Sequence, residues 1–171
     1  LDVKGVGPGT VKKNMGQIRT SLAASDVFGA LSSVIGDKVN EGDWQSALGK
    51  ADKHVERCDT VGITMISMLD PRYPASLMEL GTPPPVLFCR GDLSLLSNSI
   101  LGVIGTRKSN PFGETVAGRI GRHFADRGVS LCNGLADGID ICAVTHEDAF
   151  LPRVVGVIAC GLDLLEANIS S

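Results

Sequence analysis

Between residues 101 and 140 an apolar, strand-sized run twice ends in a glycine-bearing polar turn, and each turn opens a helix pattern. The first turn is Gly105-Thr106-Arg107-Lys108-Ser109 and the second is Asn133-Gly134-Leu135-Ala136-Asp137-Gly138-Ile139-Asp140. Strand, turn and helix repeated in this order confine the chain to an α/β fold with a parallel sheet, because two parallel neighbours need a crossover between them. In such a sheet ligands collect outside the carboxyl ends of the strands, where unpaired N–H groups and the helix dipole favour an anion. The two turns therefore read as one pocket for a phosphate-bearing molecule.

The alternation continues as strands over 100–105, 129–132 and 154–160 and helices over 113–127 and 139–150, joined by right-handed crossovers. Val116, Ala117, Ile120 and Phe124 form the expected inner stripe of the first crossover helix. That leaves Arg119, Arg122 and Arg127 on a solvated face, with His123 beside them as a bystander lacking a catalytic partner. Asp140, a carboxylate at a helix start, is expected to accept backbone N–H bonds and to be structural. Asp137, Asp140, Glu147 and Asp148 otherwise read as a solvated helix face.

A different periodicity precedes this region. Ile18, Leu22, Val27, Leu31 and Ile35 have helical spacing over 16–35, as do Trp44, Ala47, Leu48, Ala51 and Val55 over 43–57. Trp44 is read as core and His54 as exposed. We therefore expect a helical domain over 1–61 and a sheet domain over 62–171. The segment Gly5-Val6-Gly7-Pro8-Gly9-Thr10, followed by Lys12 and Lys13, has the chemistry of a partial helix-hairpin-helix, whose outward amides grip a phosphate without reading bases. A plain turn between helices explains it equally well. From Gly62 a short strand at 63–66, a turn at Asp70-Pro71-Arg72-Tyr73-Pro74, a helical turn at 75–80 and an extended run after Pro83-Pro84-Pro85 lead to Gly91. Three prolines offer no donors to a central ladder, so they mark an edge or a crossover.

Composition limits the function classes. No apolar run approaches the roughly 20 residues of a membrane span, and no signal peptide is visible. The chain opens on Leu1, and 164–171 reads as the start of another element, so a trimmed or partial chain is expected. Cys58, Cys89, Cys132, Cys142 and Cys160 form no C-x-x-C pair and no zinc spacing with the three histidines, so buried reduced thiols in a cytoplasmic protein are expected. A formal charge of −3 argues against indiscriminate coating of nucleic acid. There is no nucleophile–base pair, no paired carboxylates and no G-x-x-x-x-G-K-[ST] loop, so neither catalysis nor a cofactor is expected.

Six segments in order resemble the DNA-processing protein A family (DprA, also called Smf). They are the glycine hairpin at 5–10, the run from Asp70 to Leu77, Pro84 to Gly91, Val103 to Ser109, Asn133 to Asp140, and Val157 to Asp163. The resemblance implies an extended Rossmann-like fold that binds single-stranded DNA and delivers it to the RecA recombinase during natural transformation. It also implies that Arg107 contacts a phosphate or base, that Gly105, Thr106, Lys108 and Ser109 assist, and that Asn133, Gly134 and Gly138 leave room for the nucleotide. Phe112 either stacks on a base or packs inward.

Departures from the family pattern are Asn133 in place of serine, Asp137 where a basic residue is common, and Ala143-Val144 in place of an Ala-His pair. The family's Arg-Asn-Arg run, and the segments through which it forms a homodimer and meets RecA, would lie beyond Ser171. Two readings stay open beside DNA binding. One is a sensor of a small nucleotide. The other is a related enzyme that cleaves nucleoside monophosphates, although its Pro-Gly-Gly-x-Gly-Thr-x-x-Glu signature is absent here.

Overall fold

The computed structural model describes residues 6–23, Ser32 and 41–164. Val27, Leu31 and Ile35 of the first expected helix, and Gly5 of the hairpin, lie outside those residues. The chain forms two compact units that divide between Arg90 and Gly91, whereas the change of periodicity at Gly62 falls inside the first.

In the first unit, α1 (Pro8–Lys13) begins where Gly7 caps it, the Gly7 carbonyl accepting from the N–H groups of Thr10 at 3.0 Å and Val11 at 3.2 Å. Pro8 suits the first helical position because its missing N–H is not needed there. Helix α2 (Met15–Ala23) follows after one residue and buries Ile18. Lys12 Nζ donates to the Leu80 carbonyl at 2.6 Å, so this cation of the hairpin segment is already engaged within the unit.

Helix α3 (Glu41–Thr60) has acids in its first turn and Arg57 in its last, which suits the helix dipole. Its expected inner stripe is buried less than the spacing implies. Trp44 and Ala47 are half-buried, but Leu48, Ala51 and Val55 are exposed. The helix meets β1 (Thr64–Ser67) near its carboxyl end, where Cys58 is buried and its carbonyl accepts from Ile63 N–H at 2.8 Å. Burial is therefore concentrated in the last turns.

Strand β1 pairs antiparallel with β2 (Val86–Cys89), with Ile66 opposite Leu87 and fully buried. The intervening segment holds α4 (Ala75–Met78). The triple proline has no N–H to give, but its carbonyls are used: Tyr73 Oη donates to Pro84 at 2.6 Å and Met68 N–H to Pro85 at 2.9 Å. Asp70 receives Arg72 Nε at 3.0 Å and Nη2 at 2.6 Å. These side-chain hydrogen bonds from Arg72, supported by its backbone N–H, hold the Asp70 carboxyl at a pKa of about 2.

The second unit is a parallel sheet in the order β3-β4-β7, formed by β3 (Ile100–Gly102), β4 (Ser130–Asn133) and β7 (Val154–Gly156). Helix α5 (Pro111–Ala125) crosses from β3 to β4, and α6 (Ile139–Val144) lies between β4 and β7. Because each strand is followed by its neighbour in one direction, right-handed crossovers put both helices on the same face, and the two pack against each other. The register aligns Leu101, Leu131 and Val154 in one row. Leu131 forms the core there with Ala125 and Val144, and Leu101, Val103, Phe124, Leu135, Leu151 and Val154 pack around it.

Two sequence expectations change in this unit, and a third, on the cysteines, changes in both units. The inner stripe of α5 is Ala117, Gly121 and Ala125 with Phe124 half-buried, whereas Val116 and Ile120 are exposed. The reason is the closeness of α6: a Cβ on Gly121 would overlap the Ala143 carbonyl, and one on Gly118 would lie 3.3 Å from the Cys142 carbonyl oxygen. Small residues face α6 because larger ones do not fit.

The expected helix over 139–150 stops at Val144. Thr145 turns extended, its hydroxyl donates to the Ile141 carbonyl at 2.8 Å, and β5 (Thr145–His146) pairs with β6 (Ala149–Phe150) as a short hairpin. Its turn residues Glu147 and Asp148 take φ values of 51° and 63°, which is left-handed backbone that side chains disfavour. Third, burial does not extend to all the thiols. Cys58 is buried, burial pushes the half-buried Cys89 and Cys132 thiols up, and Cys160 is exposed because β7 ends at Gly156 rather than at 160.

Two outcomes are expected. Gly121→Ala should destabilise the chain by about 1–3 kcal/mol in denaturant unfolding, despite alanine's higher helix propensity, because the added methyl overpacks the α5–α6 contact. An unchanged midpoint would mean that the helices separate at no cost. The Asp70 carboxyl, depressed in the folded chain, contributes stability that is complete above the ordinary carboxylate pKa of about 4 and is lost as pH falls from there towards 2. Asp70→Asn should flatten that part of the stability–pH profile.

Candidate functional site

Asp140 sits in the first turn of α6 and is only 6% exposed. Its Oδ1 accepts from Gly105 N–H at 3.1 Å and its Oδ2 from Gly134 N–H at 3.1 Å. One carboxylate thus joins the residues just past the ends of β3 and β4. Asn133 completes the knot: its Nδ2 donates to the Asp140 carbonyl at 2.8 Å and its Oδ1 accepts from Leu135 N–H at 3.0 Å. The expectation that Asp140 accepts backbone N–H bonds is met, but the donors belong to the two glycine turns rather than to its own helix.

The glycines are required for this closeness. Gly138 takes a φ of 84°, and a Cβ there would overlap the Thr106 carbonyl and stand 2.8 Å from the Arg107 carbonyl oxygen. A Cβ on Gly105 would lie 2.6 Å from Ile139 Cβ. Ile139 N–H donates to the Thr106 carbonyl at 3.2 Å, which draws the start of α6 against the first turn. The space left by Gly105 and Gly138 is filled by the protein's own neighbouring turn. Gly134 has its N–H turned to Asp140 and the Asp140 Oδ2 3.4 Å from its missing Cβ.

At the rim the pattern is open. Arg107 and Lys108 are exposed, and among the described residues neither side chain has a hydrogen-bond or ion-pair partner. The Thr106 and Arg107 N–H groups likewise meet no internal acceptor among the described residues. Lys108 N–H donates to Thr106 Oγ1 at 3.2 Å, which shapes the turn. Ser109 Oγ donates to Glu114 Oε1 at 2.7 Å, so its proton is directed inward. Asn110 caps α5, its Oδ1 accepting from Gly113 N–H at 2.8 Å. Phe112, in the first turn of α5, is 78% exposed and presents a free aromatic face.

The nine sequence-predicted residues therefore divide by geometry. Gly105, Asn133, Gly134 and Gly138 build the frame, Thr106 and Ser109 shape the first turn, and Arg107, Lys108 and Phe112 face outward. Sequence reasoning did not find the bridging role of Asp140. The signal available was its spacing of two residues after Gly138, which returns the side chain to the strand ends.

A second feature, an open groove of about 720 Å³, lies along α5 and the β5–β6 hairpin and includes Arg119, Arg122, Arg127 and His146. Two of its three arginines are engaged: Arg122 Nη2 meets His146 Nδ1 at 2.6 Å, and Arg127 Nη1 donates to the His123 carbonyl at 2.8 Å. Glu114, Asp126, Glu147 and Asp148 share the groove, so it is not a positive surface. His123 also packs edge-on against Phe124, with ring centroids 5.3 Å apart. Among the described residues no cluster of His, Cys, Asp or Glu fits a metal ion, and no helix is long and apolar enough to cross a membrane.

Fold and site together define an α/β protein with a parallel sheet, whose strand ends run into two glycine turns tied to one another through Asp140. Residues 64–169 match the family described as DNA recombination-mediator protein A, and the chain belongs to that DprA/Smf family. It is 35% identical over 101 residues to the DNA processing protein DprA of Bacillus subtilis, covering 58% of this chain and 34% of that protein. It is 28% identical over 179 residues to the protein Smf of Synechocystis, covering 95% of this chain and 43% of that protein. The chain thus spans less than half the length of these relatives. The crystal structure of DprA from Streptococcus pneumoniae shares the fold, with a TM-score of 0.63 at 23% identity over 91% of this chain and 56% of that one.

If the frame holds the first turn in place, Gly138→Ala should disturb it twice over, through φ and through the clash with Thr106. The expected outcome is a loss of at least about 1 kcal/mol of stability together with shifted amide resonances for Thr106 to Lys108 in NMR spectra. Unmoved resonances would show that the two turns are independent.

Proposed function

We propose that this chain binds single-stranded DNA through its sugar–phosphate backbone and performs no chemistry of its own. The observation that carries this reading is the pair of exposed, unpartnered cations Arg107 and Lys108 just beyond β3, beside the unclaimed N–H groups of Thr106 and Arg107. A guanidinium fork matches two phosphate oxygens, and a lysine adds charge without further geometric demand. Phe112, exposed five residues on, offers a face for an unpaired base, and stacking of that kind tolerates any sequence. Two cations and one exposed aromatic on one turn suit an unpaired strand rather than the groove of a duplex.

Family membership extends the proposal to delivery of the bound strand to the RecA recombinase in recombination and natural transformation. Free cysteines, none paired in a disulfide, support a reducing cytoplasmic setting. The N-terminal hairpin is not assigned a DNA contact, since Lys12 is bonded to Leu80.

Arg107→Ala should weaken binding of a fluorescent oligothymidylate by about 1.5–3 kcal/mol, the range for a charge-assisted hydrogen bond, and leave the thermal melt unchanged. Blunt duplex of the same length should bind more weakly than the single strand. Equal affinity for duplex, or full affinity in a folded Arg107→Ala variant, would remove the basis of the assignment. A mononucleotide that binds as tightly as the oligonucleotide would favour a nucleotide sensor instead.

A further inference from the structure

A phosphate at the strand ends of an α/β sheet is ordinarily met by backbone N–H groups of the glycine turns and by the start of the following helix. Here two of those donors, Gly105 N–H and Gly134 N–H, point at Asp140 Oδ1 and Oδ2, each at 3.1 Å. The donor positions at the base of the pocket are therefore filled by an anion belonging to the protein. The start of α5 is closed as well, since Asn110 Oδ1 takes Gly113 N–H and Glu114 adds an acid to the first turn. At the first turn, what remains for a ligand lies at the rim: the Thr106 and Arg107 N–H groups and the side chains of Arg107 and Lys108.

We propose that Asp140 is a specificity-determining residue, whose carboxylate beneath the Arg107 turn makes the site select singly charged phosphodiesters over doubly charged phosphomonoesters. This inference rests on the phosphate-binding reading given above and names the phosphate class it takes. A backbone phosphodiester carries one negative charge and reaches the rim donors with two free oxygens. A terminal phosphate carries close to two charges at neutral pH and, to gain donors equal to its charge, must settle where Gly105 and Gly134 would greet it. Asp140 has taken both N–H groups and opposes the added charge. Asp140 is only 6% exposed, so its charge is less screened by solvent than that of a surface carboxylate and opposes one extra unit of like charge the more. The same carboxylate therefore assembles the turns and sets which phosphate they accept.

Competition against a fluorescent oligothymidylate, with the whole 171-residue chain, tests this. The competitors are thymidine 5′-monophosphate and its methyl ester, which differ by one charge at the phosphate. The unaltered chain should prefer the methyl ester by about ten-fold, and Asp140→Asn, which frees one of the two glycine N–H groups, should abolish or reverse that preference. Asp140→Ser serves the same purpose should the asparagine variant not fold. Equal competition by the two esters in the unaltered chain overturns the inference, whatever the variants do. So does a folded variant that keeps the original preference. Failure of the oligothymidylate to bind at all is a separate result, which overturns the phosphate-binding reading and this inference with it.

Discussion

A carboxylate with two glycine N–H groups on its two oxygens holds the second unit's site together. Burying a charge without partners is prohibitive, and Asp140, 6% exposed, escapes that cost only because Gly105 and Gly134 both donate to it. The dependence runs in both directions. Remove the carboxylate and two backbone donors lose their acceptors; move either strand end and the charge is stranded. Hydrogen bonds to a charged group are among the stronger ones in proteins, at about 1.5–3 kcal/mol each, which is enough to fix the two turns against one another. Arg107 then projects from a turn that is anchored on both sides, by Gly105 on Asp140 and by the Thr106 carbonyl on Ile139 N–H.

The close approach of α5 and α6 belongs to the same arrangement. Ala117, Gly121 and Ala125 let α5 pass against the Ala143 carbonyl, and this nearness lets α6 start directly beneath the first turn. Had Val116 and Ile120 faced inward, as their hydrophobicity suggests, α6 would stand farther from α5 and Asp140 farther from Gly105. The geometry of the Arg107 turn thus traces to the small side chains on one helix face. The short reach of α6 has a consequence too: the chain leaves the helix at Thr145 and turns through two left-handed non-glycine residues, Glu147 and Asp148, to reach β7.

The alternation of apolar runs and glycine turns was sufficient to read the parallel sheet, its crossovers and the position of Arg107 and Lys108 at a strand's end. Period-two and period-3.6 patterns report which residues leave water, and the hand of the crossovers follows from chirality. The same patterns misjudged α5 and the length of α6. Hydrophobicity says that a residue prefers to be buried; it does not say how near the next backbone lies, and at Gly121 nearness outweighs apolar area. Helical spacing over 139–150 likewise could not register that Thr145 would bond back to Ile141 and end the helix.

What the sequence by itself determined is the strand–helix alternation of the parallel sheet, the family, and the residue types gathered around the strand ends: two cations, an aromatic, four glycine or asparagine positions and one acid. Those are properties of residue type and spacing along one dimension. Only the tertiary structure decided which of them face outward and which are taken up within the fold. Gly105 and Gly134 stand in sequence as free phosphate donors, but folding brings Asp140 between them from six and thirty-five residues away. A hydrogen-bond partner is chosen by distance in space, and a buried donor takes the acceptor that the fold delivers.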